Sequence, residues 1–278
     1  AFVCFALLCL VLKSLRYSVF AIHADAPAIG FSLLSCLPLL AEKPNRKQLL
    51  FSAIAAVCAV WTKQTFVPLI AALPVYLFLK TDRAIFKRYV YDLLICGIAL
   101  SLFFIHLFPI RDLMLYLFQI PMRTPWEFKG PVPVAIWKAL FSGWMEIVPL
   151  FFALTLYTIY KVRRSQGIRH LFTQSAWPLF FMIAVFMIPT SLLGRVKIGG
   201  AINCLSPTSF FLATAFSLVL KDLFLSAFHD GKHNGKSFMT LIFTIFPVML
   251  IVLFLPELKT IKAEVDDGLW QNEQQLAY

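Results

Sequence analysis

The chain has 278 residues, of which 60% are hydrophobic and 14% are charged, and its formal net charge is +11. A soluble domain is about 45–50% apolar and about 25% charged, and a soluble core of this size would not hold 29 Phe beside its aliphatic residues. The composition excludes a disordered chain, a collagen-like chain and a nucleic-acid-binding globule. It predicts an all-α fold, a polytopic transmembrane helical bundle whose Lys and Arg lie in loops beside the lipid headgroups.

Nine apolar segments follow one another along the chain, separated by charged loops. Several are shorter than the roughly 20 residues of a spanning helix, and interfacial Tyr, Trp, Lys and Arg at their flanks extend them. A single helix over 49–79 would bury Lys63 and Gln64 in mid-span, so two short crossings joined by a turn at Lys63-Gln64-Thr65 are predicted, with a re-entrant pair as the alternative. The segments are 1–12, 26–41, 49–61, 66–79, 89–109, 144–160, 175–193, 205–220 and 238–255.

The distribution of basic residues over the loops predicts the orientation of this bundle. Loops 42–48, 80–88, 161–170 and 221–237 hold 14 Lys and Arg in 43 residues, whereas the loops on the opposite side hold 11 in 85 residues. The denser set is predicted to be cytoplasmic. The opposite, outer set is 13–25, 62–65, 110–143, 194–204 and 256–278.

The longest loop, 110–143, lies on the predicted outer side. Its apolar stretch 112–120 is too short to span, and four prolines, Trp126 and Trp137 follow within the loop, with Trp144 directly after it. This pattern predicts an interfacial helix, a proline-rich turn and a second interfacial helix, with Trp rings at headgroup depth. Residues 1–255 are assigned to the membrane domain and 256–278 to a polar outer tail. The chain opens directly in an apolar run without a leader, so we expect a truncated first helix and further sequence upstream.

Asp25 is the first candidate site residue, in the outer-side sequence His23-Ala-Asp25-Ala-Pro27 that precedes an apolar segment. A carboxylate there can hold a metal ion or a polar acceptor, with His23 beside it. The alternative is a helix N-cap, a position that Asp favours, followed by a proline in the first turn.

Two further outer-side sequences supply cations. The turn around Lys63 and Gln64 offers an ammonium and neutral donors to a lipid phosphate, although a lysine at this depth also snorkels harmlessly. The stretch Gly194-Arg195-Val-Lys197-Ile-Gly-Gly-Ala-Ile-Asn203 places Arg195 and Lys197 beside two glycines. Arg binds phosphate oxygens through a bidentate fork and Lys as a point charge. Ordinary headgroup contacts are the alternative, and loop 110–143 would cover such a site as a lid.

The order of these motifs resembles the polytopic glycosyltransferases of the GT-C superfamily, which includes lipid A aminoarabinose transferase and the protein mannosyltransferases. An outer Asp25 opens an apolar helix, Thr-Lys63-Gln-Thr ends the next one, and Lys197-x-Gly-Gly-x-x-Asn203 opens a later one. The order of apolar segments and loops is similar over most of the chain, and the matching motifs comprise about twenty residues.

This resemblance implies transfer of a sugar from a polyprenyl-phosphate-linked donor to an acceptor on the outer face. Asp25 would match the second acidic position of several members, with a role in metal or acceptor binding, so a divalent metal ion is a possible cofactor. The main catalytic carboxylate of the family matches nothing in this chain and is expected upstream. The residues that would bind substrate are His23, Lys63, Gln64, Arg195, Lys197 and Asn203.

Two other classes of membrane protein remain open. A polysaccharide polymerase or ligase shares the outer, lipid-linked substrate, and a flippase or secondary transporter would place polar groups at mid-membrane. The expected partners are the lipid-linked sugar and membrane lipids, with no nucleic acid. The expected location is a bacterial inner membrane, with the active face outward.

Overall fold

The structure is a computed structural model that describes residues 2–15, 24–125, 132–164, 168–197 and 202–229. Side-chain surroundings are described for 2–15, 24–125, 147–163, 169–197 and 204–225. Within these ranges the regular elements are helices, as the composition predicts. They are α1 Phe2–Val11, α2 Asp25–Cys36, α3 Arg46–Thr62, α4 Leu69–Lys80, α5 Arg83–Leu107, α6 Ile110–Met114, α7 Ile120–Arg123, α8 Val132–Arg164, α9 Ile168–Gln174, α10 Trp177–Arg195 and α11 Ser206–His229.

Short non-α turns extend or join several of these helices. The 3₁₀ turn Leu37–Leu40 extends α2, Gln64–Phe66 lies between α3 and α4, and Ile202–Leu205 leads into α11. A π-helical turn, Leu115–Gln119, links α6 to α7 into one helical segment, 110–123. A helical segment thus occurs where the sequence predicts the first interfacial helix, and its position at the interface stays a prediction.

The predicted apolar segments fall on helices wherever the structure describes them. Eight of the nine coincide with α1, α2, α3, α4, α5, α8, α10 and α11, and the ninth, 238–255, lies outside the described residues together with the tail 256–278. The turn at Lys63 divides 49–79 into α3 and α4, as expected. One boundary differs, because the second interfacial helix and the segment 144–160 form one continuous helix, α8. Pro133 lies in the first turn of α8, where a proline is tolerated.

Three of the described helices are long and apolar enough to cross a membrane. They are α5, α10 and the Ser206–Leu225 part of α11, and only 11% of the α5 window is buried inside the protein. Large apolar side chains on α5, among them Leu94, Ile98 and Leu102, are about 60% exposed. An exposed apolar face of this kind is suited to lipid. These helices indicate a membrane-associated protein. The other apolar helices are shorter than a spanning helix, so the total of nine crossings stays a prediction.

The helices α2, α3 and α4 run in alternating directions, which gives the bundle two ends. Lys63, after α3, donates a hydrogen bond to Asp25 at the start of α2. Lys80, at the end of α4, donates to the backbone carbonyls of residues 39, 40 and 41 just after α2, over 2.7–3.1 Å. We call these the Asp25 end and the Lys80 end. Between them, the Ser52 hydroxyl of α3 donates to the carbonyl of Ser35 in α2, over 2.6 Å.

Later elements meet the same two ends. At the Asp25 end, the Thr190 hydroxyl of α10 donates to the carbonyl of Thr65 over 3.0 Å, and Ser206 donates to the carbonyl of Ser14 over 2.8 Å. At the Lys80 end, the Arg169 guanidinium pairs with Asp82 over 2.8 Å. Loops that the basic-residue count assigns to one side therefore contact each other. The bundle has one end for each predicted set of loops.

Candidate functional site

Asp25 lies in the first turn of α2 and is fully buried. The predicted N-cap role does not hold, because the helix begins one position earlier: the N-cap is Ala24, which makes no side-chain capping bond. The Asp25 carboxylate instead accepts a hydrogen bond from the ammonium of Lys63. A buried carboxylate is retained where a cation compensates its lost hydration, and the positive end of the α2 dipole adds to that compensation.

Lys63 is placed opposite Asp25 by the way that α3 ends. Its backbone is extended, with φ −153° and ψ 120°, while its N–H still donates to the carbonyl of Ala59 over 3.0 Å. The chain thus leaves the helix at Lys63 and turns into the 3₁₀ segment 64–66. The Lys63 side chain remains 21% exposed, so the ion pair lies at the edge of the core. A ligand that reaches this end meets the ammonium before the carboxylate.

The turn 64–66 is fixed against α10. The Phe66 side chain is fully buried, and the Thr65 carbonyl accepts the hydrogen bond of Thr190. Gln64 is exposed, as a substrate-contacting residue would need to be. The Thr65 hydroxyl is buried and has no hydrogen-bond partner in the described part of the chain. This turn therefore places the exposed Gln64 side chain next to Lys63, on a backbone that is hydrogen-bonded to α10.

Arg195, the last residue of α10, joins the same group through Cys204. The electrostatic surroundings of the Cys204 thiol include Lys63, Asp25 and Arg195. Burial raises the pKa of this thiol; the two cations lower it and the Asp25 carboxylate raises it. A methyl group at Gly194 would lie 3.2 Å from the Cβ and Sγ of Cys204, so a glycine there allows the close approach. Residues distant in sequence thereby form one cluster, defined here as the Asp25 cluster: Asp25, Lys63, Arg195 and Cys204.

Lys197 has a different partner. Its ammonium donates to the backbone carbonyl of Pro121, in the helical segment 110–123. Three of the four half-buried positions of that segment, Leu113, Leu117 and Pro121, are spaced four residues apart on one helix face. Lys197 therefore holds the segment 110–123 to the Asp25 end of the bundle. Its predicted role as a phosphate ligand would require that bond to break.

The structure describes the remaining predicted site residues only in part. His23 and the pair Gly199 and Gly200 lie outside the described residues. Asn203 lies in the 3₁₀ turn Ile202–Leu205, next to Cys204, but its side chain is not among those described. Their predicted contacts with substrate stay predictions.

The described residues around Asp25 do not fit a divalent-metal site. No group of three or more His, Cys, Asp or Glu that could hold a metal ion occurs in the part of the chain that the structure describes. Two of the members of the Asp25 cluster are cations, and one of them is bound to the carboxylate. Divalent metal ions require several anionic or neutral donors. We therefore derive no step through a metal.

One acidic residue was missed because it lies inside an apolar segment. Asp92 is on α5, the most apolar of the three candidate spans, and its Oδ2 is buried with no hydrogen-bond partner in the described ranges. Tyr89, one turn earlier on α5, is hydrogen-bonded at 3.0 Å to Ser52. An acid in a hydrophobic run is itself a signal of function.

Comparisons with known proteins add no further assignment. The chain matches no protein-family model, and no curated protein or solved structure is significantly similar to it. The candidate site is therefore defined by its residues and their geometry.

Proposed function

We propose that this protein is a membrane glycosyltransferase. It moves a sugar from a polyprenyl-phosphate-linked donor to an acceptor at the Asp25 end of the bundle. The observation that carries the proposal is the Asp25 cluster, a buried carboxylate with two cations at one end of an apolar helical bundle. The GT-C resemblance of the motifs around Asp25, Lys63 and Lys197 points to the same end.

The proposal includes nine crossings and an outward-facing Asp25 end. The loops at the Lys80 end are the ones richest in Lys and Arg, which by the positive-inside rule belong to the cytoplasm. The contacts between loops agree with that division, since Asp25 meets Lys63 and Asp82 meets Arg169. We place the protein in a bacterial inner membrane, where a lipid-linked donor reaches the cluster laterally from the bilayer.

The chemistry requires a cationic group at the leaving phosphate and a polar group at the acceptor. During transfer the bond between the anomeric carbon and the phosphate oxygen breaks, and a bond from that carbon to the acceptor oxygen forms. The electron pair of the broken bond stays on the phosphate, where Lys63 and Arg195 stabilise the added charge. The Asp25 carboxylate holds the acceptor hydroxyl and takes up its proton as the acceptor oxygen bonds to the anomeric carbon.

In this scheme two anions, the Asp25 carboxylate and the donor phosphate, compete for the Lys63 ammonium. In the structure it is bound to Asp25. A phosphate in the cluster competes for the same ammonium, and a partial shift of Lys63 towards the phosphate frees carboxylate oxygens for the acceptor. Substrate binding would thereby prepare the carboxylate for its role.

The test is a transfer assay with the full-length protein in liposomes. A panel of polyprenyl-phosphate-linked sugars is added with host membrane extract as the source of acceptor, and mass spectrometry follows release of polyprenyl phosphate. Asp25→Asn keeps the shape but removes the charge. We expect it to lower the transfer rate at least about tenfold, or about 1.4 kcal/mol of barrier.

The matched control is Asp112→Asn, which removes an exposed carboxylate from the segment 110–123 on the same side. It should transfer at the parental rate. Equal rates for the parental protein and Asp25→Asn would contradict the proposal, as would release of no polyprenyl phosphate from any donor of the panel.

A transporter is the second candidate, and Asp92 favours it. An acid within a membrane span with an unbonded buried oxygen is typical of ion and substrate pathways. In that case Asp92→Asn would abolish movement of a lipid-linked sugar across the liposome membrane, while Asp25→Asn would leave it unchanged. A glycosyltransferase gives the reverse pattern in the transfer assay.

A further inference from the structure

The last turn of α10 carries Arg195, one of the two cations of the Asp25 cluster, and it follows a proline. Pro189 lies inside α10, shortly before the helix ends. A proline has no backbone N–H, so residue 189 cannot donate to the carbonyl at position 185. The backbone of α10 therefore holds its last turn less firmly than an uninterrupted helix would. Contacts with neighbouring elements become more important in setting where this turn lies.

Two contacts place this last turn against α11 and the 3₁₀ turn before it. The hydroxyls of Ser191 and Thr208 are hydrogen-bonded to each other over 2.9 Å, and both side chains are fully buried. Gly194 approaches Cys204 so closely that an added Cβ would lie 3.2 Å from the Cβ and Sγ of the cysteine. Ser191 and Gly194 are three residues apart and so lie on one helix face. They fix the last turn of α10 on its α11 side.

Thr190 contacts the element that carries the other cation. Its hydroxyl donates to the carbonyl of Thr65 over 3.0 Å and shares the proton with the carbonyl of Met187 in its own helix, over 3.1 Å. Thr65 lies in the 3₁₀ turn that begins directly after Lys63. The Thr190 hydroxyl thus joins the turn that follows Lys63 to the helical turn that ends in Arg195.

We propose that Thr190 is a positioning residue of the donor site. Its hydrogen bond to Thr65 holds Lys63 and Arg195 at the separation at which both bind one phosphate. The inference rests on the proposed function, because it takes the donor phosphate as the ligand of the Asp25 cluster. Charge-assisted hydrogen bonds are short, about 2.7–2.9 Å, and the side chains of a binding site have to be held within about 0.5 Å of the productive geometry. Lysine and arginine side chains are long and lose much rotamer freedom on binding, so the backbone positions from which they start decide how readily both reach the same phosphate.

The test is a double-mutant cycle on the affinity of the full-length protein, in nanodiscs, for polyprenyl phosphate. Thr190→Val removes the hydroxyl and nearly conserves the shape of the side chain. It should weaken binding about fivefold, the effect of roughly one net hydrogen bond. In the Arg195→Gln background the same change should weaken binding less than about twofold, because only one cation is left to position. Thr190→Ser keeps the hydroxyl and should bind as the parental protein does.

The matched control is Thr158→Val. Thr158 is half-buried, and its hydroxyl donates to the carbonyl of Leu154 in its own helix, α8, over 2.7 Å. This variant loses a hydroxyl of the same kind and should bind polyprenyl phosphate as the parental protein does. Thr190→Cys carries a weak S–H donor of similar size. It repeats the cycle where Thr190→Val is too unstable to purify, and it should also weaken binding.

The outcomes separate this inference from the proposed function. If Lys63→Gln and Arg195→Gln weaken binding while Thr190→Val binds as the parental protein does, only the positioning role is overturned. An equal loss for Thr190→Val in the parental and Arg195→Gln backgrounds would overturn it too, because a general structural defect does not depend on Arg195. If neither cation variant weakens binding, the proposed function itself fails, and the positioning role fails with it.

Discussion

The ion pair between Asp25 and Lys63 is costly to form in an apolar bundle. Asp25 is fully buried and Lys63 is 21% exposed, so both groups lose much of their hydration, and their attraction restores only part of it. A buried ion pair of this kind is weak evidence for stability, because an apolar pair of similar volume is often as stable. The pair is better explained by a task that needs both charges at one place, which is what the proposed transfer requires.

Removing both partners of this pair should destabilise the protein less than the sum of the two single removals. Lys63→Met leaves the Asp25 carboxylate buried without its cation and should cost about 3 kcal/mol of unfolding free energy, at the low end for a buried pair because Lys63 is partly exposed. Asp25→Asn should cost less, since the amide oxygen still accepts from Lys63. The double variant should recover at least about 1 kcal/mol relative to the sum of the two single effects. Chemical unfolding in mixed micelles measures all four proteins, and additive effects would show that the two side chains are not coupled.

At this scale the sequence identifies the charged residues but not their partners. Asp25, Lys63 and Arg195 are recognisable because a polar residue at membrane depth is costly and therefore suggests a function. The helix register and the residue at which α3 ends determine these partners. Lys63 binds Asp25, whereas Lys197 binds a carbonyl of the segment 110–123. The contact of Gly194 with Cys204 likewise joins two residues whose types alone predict nothing.

At the scale of elements, Lys80 joins α4 to the end of α2. Its side chain is 3% exposed, and its ammonium donates to three successive backbone carbonyls. The last carbonyls of a helix have no partner within it, so a lysine from a neighbouring helix completes the end of α2 and its 3₁₀ extension. This contact holds two helices of the same direction together at the Lys80 end.

Lys80→Met should therefore loosen the α2–α4 contact. We expect a loss of about 2–3 kcal/mol of unfolding free energy, because hydrogen bonds to a charged donor are lost and buried carbonyls remain without partners. The control Lys43→Met changes an exposed lysine in the same region and should stay within about 0.5 kcal/mol of the parental protein. Unfolding in mixed micelles measures both variants. Equal stability of Lys80→Met and Lys43→Met would show that the carbonyls gain nothing from Lys80.

The helices themselves follow from apolar segment length and from breakers at their ends. The turn at Lys63 is predictable because a single helix over 49–79 would bury two polar residues and exceed the membrane thickness. The predicted boundary at residue 144 divides α8, although no proline lies between Pro133 and Pro149. Helix breaks need a physical cause, and a change in polarity is not one.

At the scale of the whole molecule, polar contacts occur at both ends of the bundle. The Asp25 cluster lies on the predicted outer side, and the ion pair of Arg169 with Asp82 lies on the side of the basic loops. The contacts of the described residues at each end join loops that the basic-residue count places together. The packing thus agrees with the division of the loops that the sequence predicts.

The orientation is tested by labelling introduced cysteines in intact cells with a membrane-impermeant thiol reagent. Arg123→Cys and Lys221→Cys place thiols at exposed positions on the two predicted sides. Arg123→Cys should be labelled from outside and Lys221→Cys only after the membrane is opened, each measured above the parental background. The reverse pattern would mean that the Asp25 end faces the cytoplasm.

Binding of polyprenyl phosphate is the measurement that tests the central claim most directly, because it requires the phosphate to meet the Asp25 cluster. The probe is polyprenyl phosphate itself, titrated against the full-length protein in nanodiscs, with Lys63→Gln, Arg195→Gln and the exposed control Arg123→Gln beside the parental chain. Charge-assisted hydrogen bonds to phosphate contribute about 1.5–3 kcal/mol each, so we predict that Lys63→Gln and Arg195→Gln each weaken binding at least about tenfold. Arg123→Gln should bind as the parental protein does. Equal affinities for all four proteins would contradict the assignment of the Asp25 cluster as the site of the lipid-linked donor.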